Sequence, residues 1–401
     1  MKRFIYLPVV LAFTGLMLVA ASIDPGLPLN FWDKPQASSD EFRHDWSELE
    51  QSLQPQACAQ CHSEQFDSWK QSLHAHAYSP GLIGQFPGMG HMEANNCLEC
   101  HAPLTEQLYK DSGEMNRSLS LSLNHLPNFD KDIDIEQNKL PLAHSGVSCA
   151  VCHVRGLKRF GPPARGADAT GIIKGEVHGG FTATSAFEDA QFCASCHQFP
   201  QSIAINGKPL ENTLTEWKES RFSKDGVTCQ TCHMPERRHE FRGIHDPEMV
   251  RKGVGFELNQ KDGDVVLVMT SKWIGHAFPT YVTPQVIVEA EALDEGGQSL
   301  RRWQWEIVRE IHYDNGWQEK RDTRLMPGES RAFRVSEMPA RTRSVRYRVR
   351  VQPDYFYKGV YKNLLAEKLD LQAKEHIQKA ARLAEANDFI LFEEDVKLIG
   401  Q

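Results

Sequence analysis

The chain has 401 residues, 40% hydrophobic and 24% charged, a globular balance that suits one large domain or two ordinary ones and excludes a disordered or collagen-like chain. Its formal net charge of −8 at pH 7 excludes nucleic acid as the expected partner, because phosphate contacts demand a basic face.

Lys2 and Arg3 precede an apolar run from Phe4 to about Ala21, and Val19-Ala20-Ala21 provides the small residues of a cleavage site. Residues 1–21 therefore read as a secretory signal peptide. The alternative is an N-terminal membrane anchor, since Phe4 to Ile23 matches the roughly 20 residues that span a bilayer. Pro8 and Gly15 interrupt the run and favour cleavage, and no cysteine near position 21 suggests a lipoprotein. Residues 22–54 carry Pro, Ser and Asp with little periodicity and read as a linker.

Residues 55–250 hold the chemistry. All ten cysteines fall into five C-x-x-C pairs, each followed directly by a histidine: Cys58, Cys61 and His62; Cys97, Cys100 and His101; Cys149, Cys152 and His153; Cys193, Cys196 and His197; Cys229, Cys232 and His233. Two thiols three positions apart on a helical turn can add to the two vinyl groups of one haem while the adjacent imidazole reaches the iron. Structural zinc would use C-x-x-C pairs two at a time, leaving an odd pair and no reason for the following histidine. Disulfides within C-x-x-C would crosslink nothing distant, and a redox dithiol occurs once, not five times. The expected cofactors are five c-type haems, with iron held proximally by His62, His101, His153, His197 and His233.

First cysteines are separated by 39, 52, 44 and 36 residues, too irregular for a solenoid. The intervening segments are short, turn-rich and patchily helical. The pattern then changes over residues 251–355. Val265 to Thr270, Gln285 to Leu293, Arg302 to His312, Arg331 to Val335 and Val345 to Val351 are β-branched or aromatic runs, with turn signals at Asp262-Gly263, Gly296-Gly297 and Asp314-Asn315-Gly316. They predict a small antiparallel β-sandwich. Residues 356–401 read as a helical tail, its apolar positions from Asn363 to Asn387 falling at helical spacing. The fold class is α+β: a loop-rich, mainly helical domain, a β-sandwich and a C-terminal helix.

Several stretches resemble the multihaem c-type cytochromes related to the tetrahaem electron carriers of ammonia-oxidising bacteria. The likeness covers about residues 55 to 355. Its elements are the first motif with Trp69-x-x-Ser72-x-His74-x-x-Ala77, then Gly146-Val147-Ser148-Cys149, Phe192 to Gln198, Gly226 to Pro235, and Gly275-His276-x-Phe278-Pro279-Thr280. The resemblance implies stacked porphyrins forming a wire, with irons bound by two histidines. Seventeen histidines leave twelve beyond the motifs. Carried over onto this chain, His74 and His276 match distal ligands, and His144, His178, His239 and His245 occupy positions where such proteins place them. That makes six candidates for five places. His76, His91, His44 and His125 rank below them, and His312 and His376 read as solvated or structural.

Haem held by two histidines has no free coordination position, so the expected function is electron transfer in the periplasm or at the cell surface. Redox proteins, including a quinol-linked membrane module, are the expected partners, and the N-terminus is the expected point of any membrane association. A first alternative is a reductase acting on a small nitrogen or sulfur compound at one five-coordinate haem, to which Arg155, Lys158, Arg159, Arg165, Arg237, Arg238 and Arg242 would draw anions. A second is a subunit of an extracellular cytochrome filament.

Overall fold

The computed structural model describes residues 27–39, 45–124, 141–165, 171–261 and 263–398. The segment read as a leader, together with His44, His125 and Asp262, lies outside the described residues.

Short helices and turns make up most of the chain as far as Gly253, and the motifs set where they end. Four of the five close a helix, at His91–His101, Cys149–His153, Ala190–His197 and Cys229–His233. The first follows the helix Pro55–Ala59, and the His62 N–H still bonds the Cys58 carbonyl at 2.8 Å. Each motif is thus one helical turn. Residues i, i+3 and i+4 share a helix face, so both thiols and the imidazole emerge on the same side. Buried apolar residues in this half form several small clusters instead of one core, such as Ala59, Phe66, Trp69 and Ala75, or Ala190, Ala194 and Leu214.

This half also contains a small sheet that alternation could not announce, because its strands run only two to four residues. β1 (Val154–Arg155), β2 (Lys158–Gly161), β3 (Gly171–Ile173) and β4 (Phe181–Ala183) are ordered β1-β2-β4-β3, with β2 and β4 parallel. The turn that carries His178 joins β3 to β4.

The C-terminal half is the expected antiparallel sandwich. β5 (Val254–Lys261), β6 (Asp264–Ser271) and β10 (Ser330–Val335) form a sheet ordered β10-β6-β5. Facing it, β7 (Gln285–Leu293), β8 (Ser299–Tyr313), β9 (Trp317–Asp322), β11 (Ser344–Gln352) and β12 (Phe389–Lys397) are ordered β12-β11-β7-β8-β9. In β6 and β11 every second residue is buried, and Val265, Leu267 and Met269 meet Val345, Tyr347, Val349 and Val351 in one core.

Where one helix was expected over Asn363 to Asn387, two form: Tyr355–Ala366 and Leu371–Ala386. Asp370 starts the second by accepting the Ala373 N–H at 2.7 Å. Beyond the expected C-terminal helix, β12 returns to the sheet. Its acidic residues hid it in the sequence. Glu393 and Asp395 pair across the strands with Arg348 and Arg346, at 2.5 and 2.7 Å. Among the described residues no helix is long and apolar enough to cross a membrane.

One hydroxyl joins the two sheets internally. Tyr347 Oη of β11 lies 2.8 Å from the carbonyl oxygens of both Val265 and Phe333 on the opposite sheet. Tyr347→Phe will destabilise the protein by about 1 kcal/mol, the net value of a buried hydrogen bond, lowering the urea midpoint without changing the m-value.

Candidate functional site

The first candidate ligand, His74, is held by a loop locked from both sides. Trp69 Nε1 donates to the Val147 carbonyl at 2.9 Å, the Val147 N–H donates to the His74 carbonyl at 2.9 Å, and Ser72 Oγ accepts the Ala75 N–H at 3.3 Å. Gly146 makes this crossing possible. Its φ of +56° suits glycine, and a Cβ there would lie 2.5 Å from the His74 carbonyl oxygen. The Trp-x-x-Ser-x-His and Gly-Val-Ser elements are therefore two halves of one clamp.

Three motif histidines face a distant histidine at nearly the same separation. Ring centroids are 6.1 Å apart for His197 and His74, 6.2 Å for His153 and His239, and 6.2 Å for His233 and His276. A metal–imidazole bond is about 2.0–2.1 Å, so two in-line imidazoles on one ion have ring centres roughly 6 Å apart. These side chains fit an iron between them. Burial pushes His74 down to about 3 and His197, His239 and His276 down to about 4, which keeps them as the neutral imidazoles that ligate metals.

The ring nitrogens sort the remaining histidines. A ligating histidine usually hydrogen-bonds through its other nitrogen, which fixes ring and tautomer. Nδ1 of His101, His153 and His233 lies 3.0, 2.7 and 2.5 Å from the carbonyl oxygens of Ala77, Phe160 and Arg242, and His197 Nδ1 lies 2.6 Å from Tyr281 Oη. His276 and His178 follow the rule, with Nδ1 3.0 Å from the Ala277 carbonyl and 2.9 Å from that of Gly180. His178 belongs beside the first motif. Its N–H bonds the Glu50 carboxylate, the Glu50 carbonyl accepts from Arg159, and Arg159 is within electrostatic reach of Cys58.

His144 and His245 show the opposite arrangement. His144 is buried against Tyr78 with Nε2 3.0 Å from Ser118 Oγ and 3.3 Å from Ser122 Oγ, and His245 Nε2 lies 3.0 Å from Asp354 Oδ1. The nitrogen that would face an iron is already engaged in both.

Contacts between motifs give their order in space. The thiols of Cys58 and Cys149, of Cys100 and Cys196, and of Cys193 and Cys229 lie close enough to perturb one another. Phe241 packs between His74 and His239, at 4.2 and 5.8 Å. The first motif thus adjoins the third, the third meets the fourth, and the fourth also adjoins the second and the fifth.

The β-sandwich holds the loop that carries His276. Arg324, buried with Glu216, binds its Oε1 at 3.1 Å and Asp322 at 2.9 Å, and Glu216 Oε2 accepts the Ala277 N–H at 3.1 Å. Arg309 is 0% exposed and bonds Glu319 at 2.7 Å and the carbonyls of Lys208, Pro209 and Leu210. Neither arginine stood out in the sequence: Arg309 belongs to a charged stretch of β8, and Arg324 to the connection between β9 and β10. Tyr281 could have been found, since it directly follows the Gly-His-x-Phe-Pro-Thr element. Of the basic residues read as anion attractors, Arg155 covers the Phe31 ring at 3.9 Å, and Arg237 bonds the Pro163 carbonyl and Glu188.

The family model for outer membrane cytochrome MtrC/MtrF-like proteins, domains II/IV, matches residues 84–246, a span that contains the second to fifth motifs. Among solved structures, the crystal structure of a penta-heme cytochrome c552 from Thermochromatium tepidum is similar with a TM-score of 0.57 and 17% identity, covering 88% of this chain and 100% of that one. No curated protein matches the chain in sequence. The fold is that of a multihaem c-type cytochrome.

Gly146→Ala will destabilise the protein by about 1–3 kcal/mol through backbone strain and displacement of the His74 loop. Gly88→Ala, where an added Cβ meets nothing within 4 Å, is the control in thermal unfolding. A second expectation concerns acid. Burial alone would raise Asp322, but Arg324 and Lys208 outweigh it and hold the carboxyl well below its ordinary 3.8. A depressed carboxyl stabilises the fold above its unfolded value, and that stability is lost as pH falls through the folded value. Stability will drop as pH is lowered from about 5 toward 3, and the denaturation midpoint of Asp322→Asn will depend less steeply on pH over that range.

Proposed function

We propose that this protein is a pentahaem c-type cytochrome that passes electrons between redox partners in the periplasm or at the cell surface. The observation that carries the proposal is the set of three half-buried imidazole pairs at 6.1–6.2 Å, each joining a C-x-x-C-H histidine to a histidine from elsewhere in the chain. Bis-histidine haem supplies reversible one-electron transfer with no coordination position left for substrate.

In this reading the ten motif cysteines form thioethers, and His62, His101, His153, His197 and His233 bind iron proximally. His74, His239 and His276 are distal ligands to the fourth, third and fifth irons, and His178 is the distal ligand to the first. The contiguous motifs then allow charge to move through the protein without a diffusing carrier. The apolar leader and the likeness to an outer-membrane cytochrome domain support export, and the likeness of the fold to a penta-heme cytochrome supports the electron-transfer role. The acidic net charge would steer a basic redox partner, with association slowing as salt rises.

The hydrogen bonds of His144 and His245 favour a second reading for the second motif. Both offer an engaged Nε2, so His101 lacks a distal histidine presented as the others are. An iron bound only by His101 would admit a small ligand, and the protein would then be a reductase at that centre.

Low-temperature EPR of the purified ferric protein separates the two. Five low-spin centres that ignore cyanide and nitrite are expected for the carrier. One stoichiometric high-spin centre that becomes low-spin with cyanide sinks the simple-carrier reading. Fewer than five covalent haems by mass spectrometry sinks the pentahaem assignment itself.

A further inference from the structure

We infer that Tyr281 is the residue that sets the reduction potential of the fourth motif's haem apart from the others. The inference rests on the pentahaem reading above.

The geometry at His197 differs from that at the other anchored motif histidines. His101, His153 and His233 each face a backbone carbonyl through Nδ1, a contact no side-chain substitution can remove. His197 instead faces the phenol oxygen of Tyr281 at 2.6 Å, with the two ring planes within 13° of parallel and their centroids 6.2 Å apart, an edge-on contact through the oxygen. Behind this contact lies the half-buried Glu211 carboxyl, pushed up to about 8 by desolvation. Glu211 Oε2 is 3.8 Å from the same Nδ1, is buried, and has no hydrogen bond of its own. Nothing in metal binding alone calls for an acid there.

An acceptor at Nδ1 shifts electron density onto the ring and makes Nε2 a more basic ligand. A more basic axial ligand favours the higher oxidation state of a metal, so removing the acceptor raises the potential.

The placement gives this control a purpose. His197 is within electrostatic reach of His233 and His101, and His74 is within reach of His233 and His239. The fourth motif is therefore the junction of the second, third and fifth. A side chain that sets the potential at a junction decides how electrons divide among the branches.

Tyr281→Phe in the haem-loaded protein tests the idea, because it keeps the aromatic ring and removes only the oxygen. Haem content and EPR establish first that five haems are present and that the fourth is bound by His74 and His197. Loss of that low-spin centre in His74→Ala identifies its signal. In an optical redox titration of Tyr281→Phe, one midpoint is expected to rise by at least a tenfold change in its one-electron equilibrium, about 59 mV, with the other four unmoved. The assigned EPR signal should shift its g-values in parallel. Five intact haems with unchanged midpoints would overturn the inference and leave the carrier reading standing. A wild-type protein without a low-spin fourth haem would overturn the reading on which it rests. If Tyr281→Phe fails to load its fourth haem, Tyr281→Leu, which also removes the oxygen, must raise the same midpoint, and no change there overturns the inference.

Discussion

Two neutral imidazoles facing each other at about 6 Å is the constraint from which the rest of this structure follows. The spacing is too long for ring stacking to maintain, so the rings must be fixed from behind or through their own backbone. His276 is fixed by its own loop carbonyl, His233 and His153 by carbonyls of Arg242 and Phe160, and His74 by the backbone clamp through Val147. The partners are also remote in sequence. His74 meets His197, His153 meets His239, and His233 meets His276. Such pairings can be met only by a chain of short helices and turns that doubles back repeatedly, because long regular helices would carry the ligands apart. The broken, loop-rich first half is the form that this requirement imposes.

The sandwich answers a related problem. His276 and Tyr281 sit on a loop between β6 and β7, and loops are the least rigid part of a fold. Here the loop is bound from inside by Glu216, which belongs to the helical half, and Glu216 is in turn fixed by Arg324 of the sandwich. A buried ion pair of this kind contributes little net stability, because desolvation offsets the attraction, but it strongly penalises any arrangement that separates its members. Arg309 works in the same way. Its guanidinium reaches across to the carbonyls of Lys208, Pro209 and Leu210, so the strand that carries it cannot slide relative to the helical half without stranding a buried charge. These contacts fix position more than they add stability.

What the sequence disclosed and what it withheld divide along the same line between local and distant. A C-x-x-C-H motif is one helical turn, and its chemistry is complete within five residues. β6 and β11 showed themselves because each buries one face, and a half-buried strand writes that fact as alternation. β1 to β4 are too short to alternate, and β12 carries Glu393 and Asp395, whose arginine partners lie on a neighbouring strand. The six candidate histidines could be named but not paired, because pairing depends on contacts between residues far apart. The sequence also could not separate His144 and His245 from the rest. What distinguishes them is which ring nitrogen meets Ser118 or Asp354, and that depends on helices brought together only in the fold.

Adjacency of the motifs does not follow their order along the chain, and this bears on what the assembly can do. A chain that placed its five centres in sequence order would offer one entrance and one exit. Here the first motif touches the third, while the fourth touches the second, the third and the fifth. The result is a path from first to third to fourth that divides toward the second and fifth. The two arms end differently: the fifth is closed by His276 under the sandwich, while the second lies against the helix that carries Tyr357. On the pentahaem reading proposed above, a branched arrangement would let electrons enter at one arm and be held or diverted at another, so the potential at the fourth centre would matter more than that at any terminus. That centre is also the one whose motif histidine is anchored by a side chain instead of the backbone. A backbone carbonyl cannot change without changing the fold, whereas a phenol can be exchanged by a single substitution. On the pentahaem reading, the potential at the fourth motif is open to adjustment, while His101, His153 and His233 are anchored by the main chain.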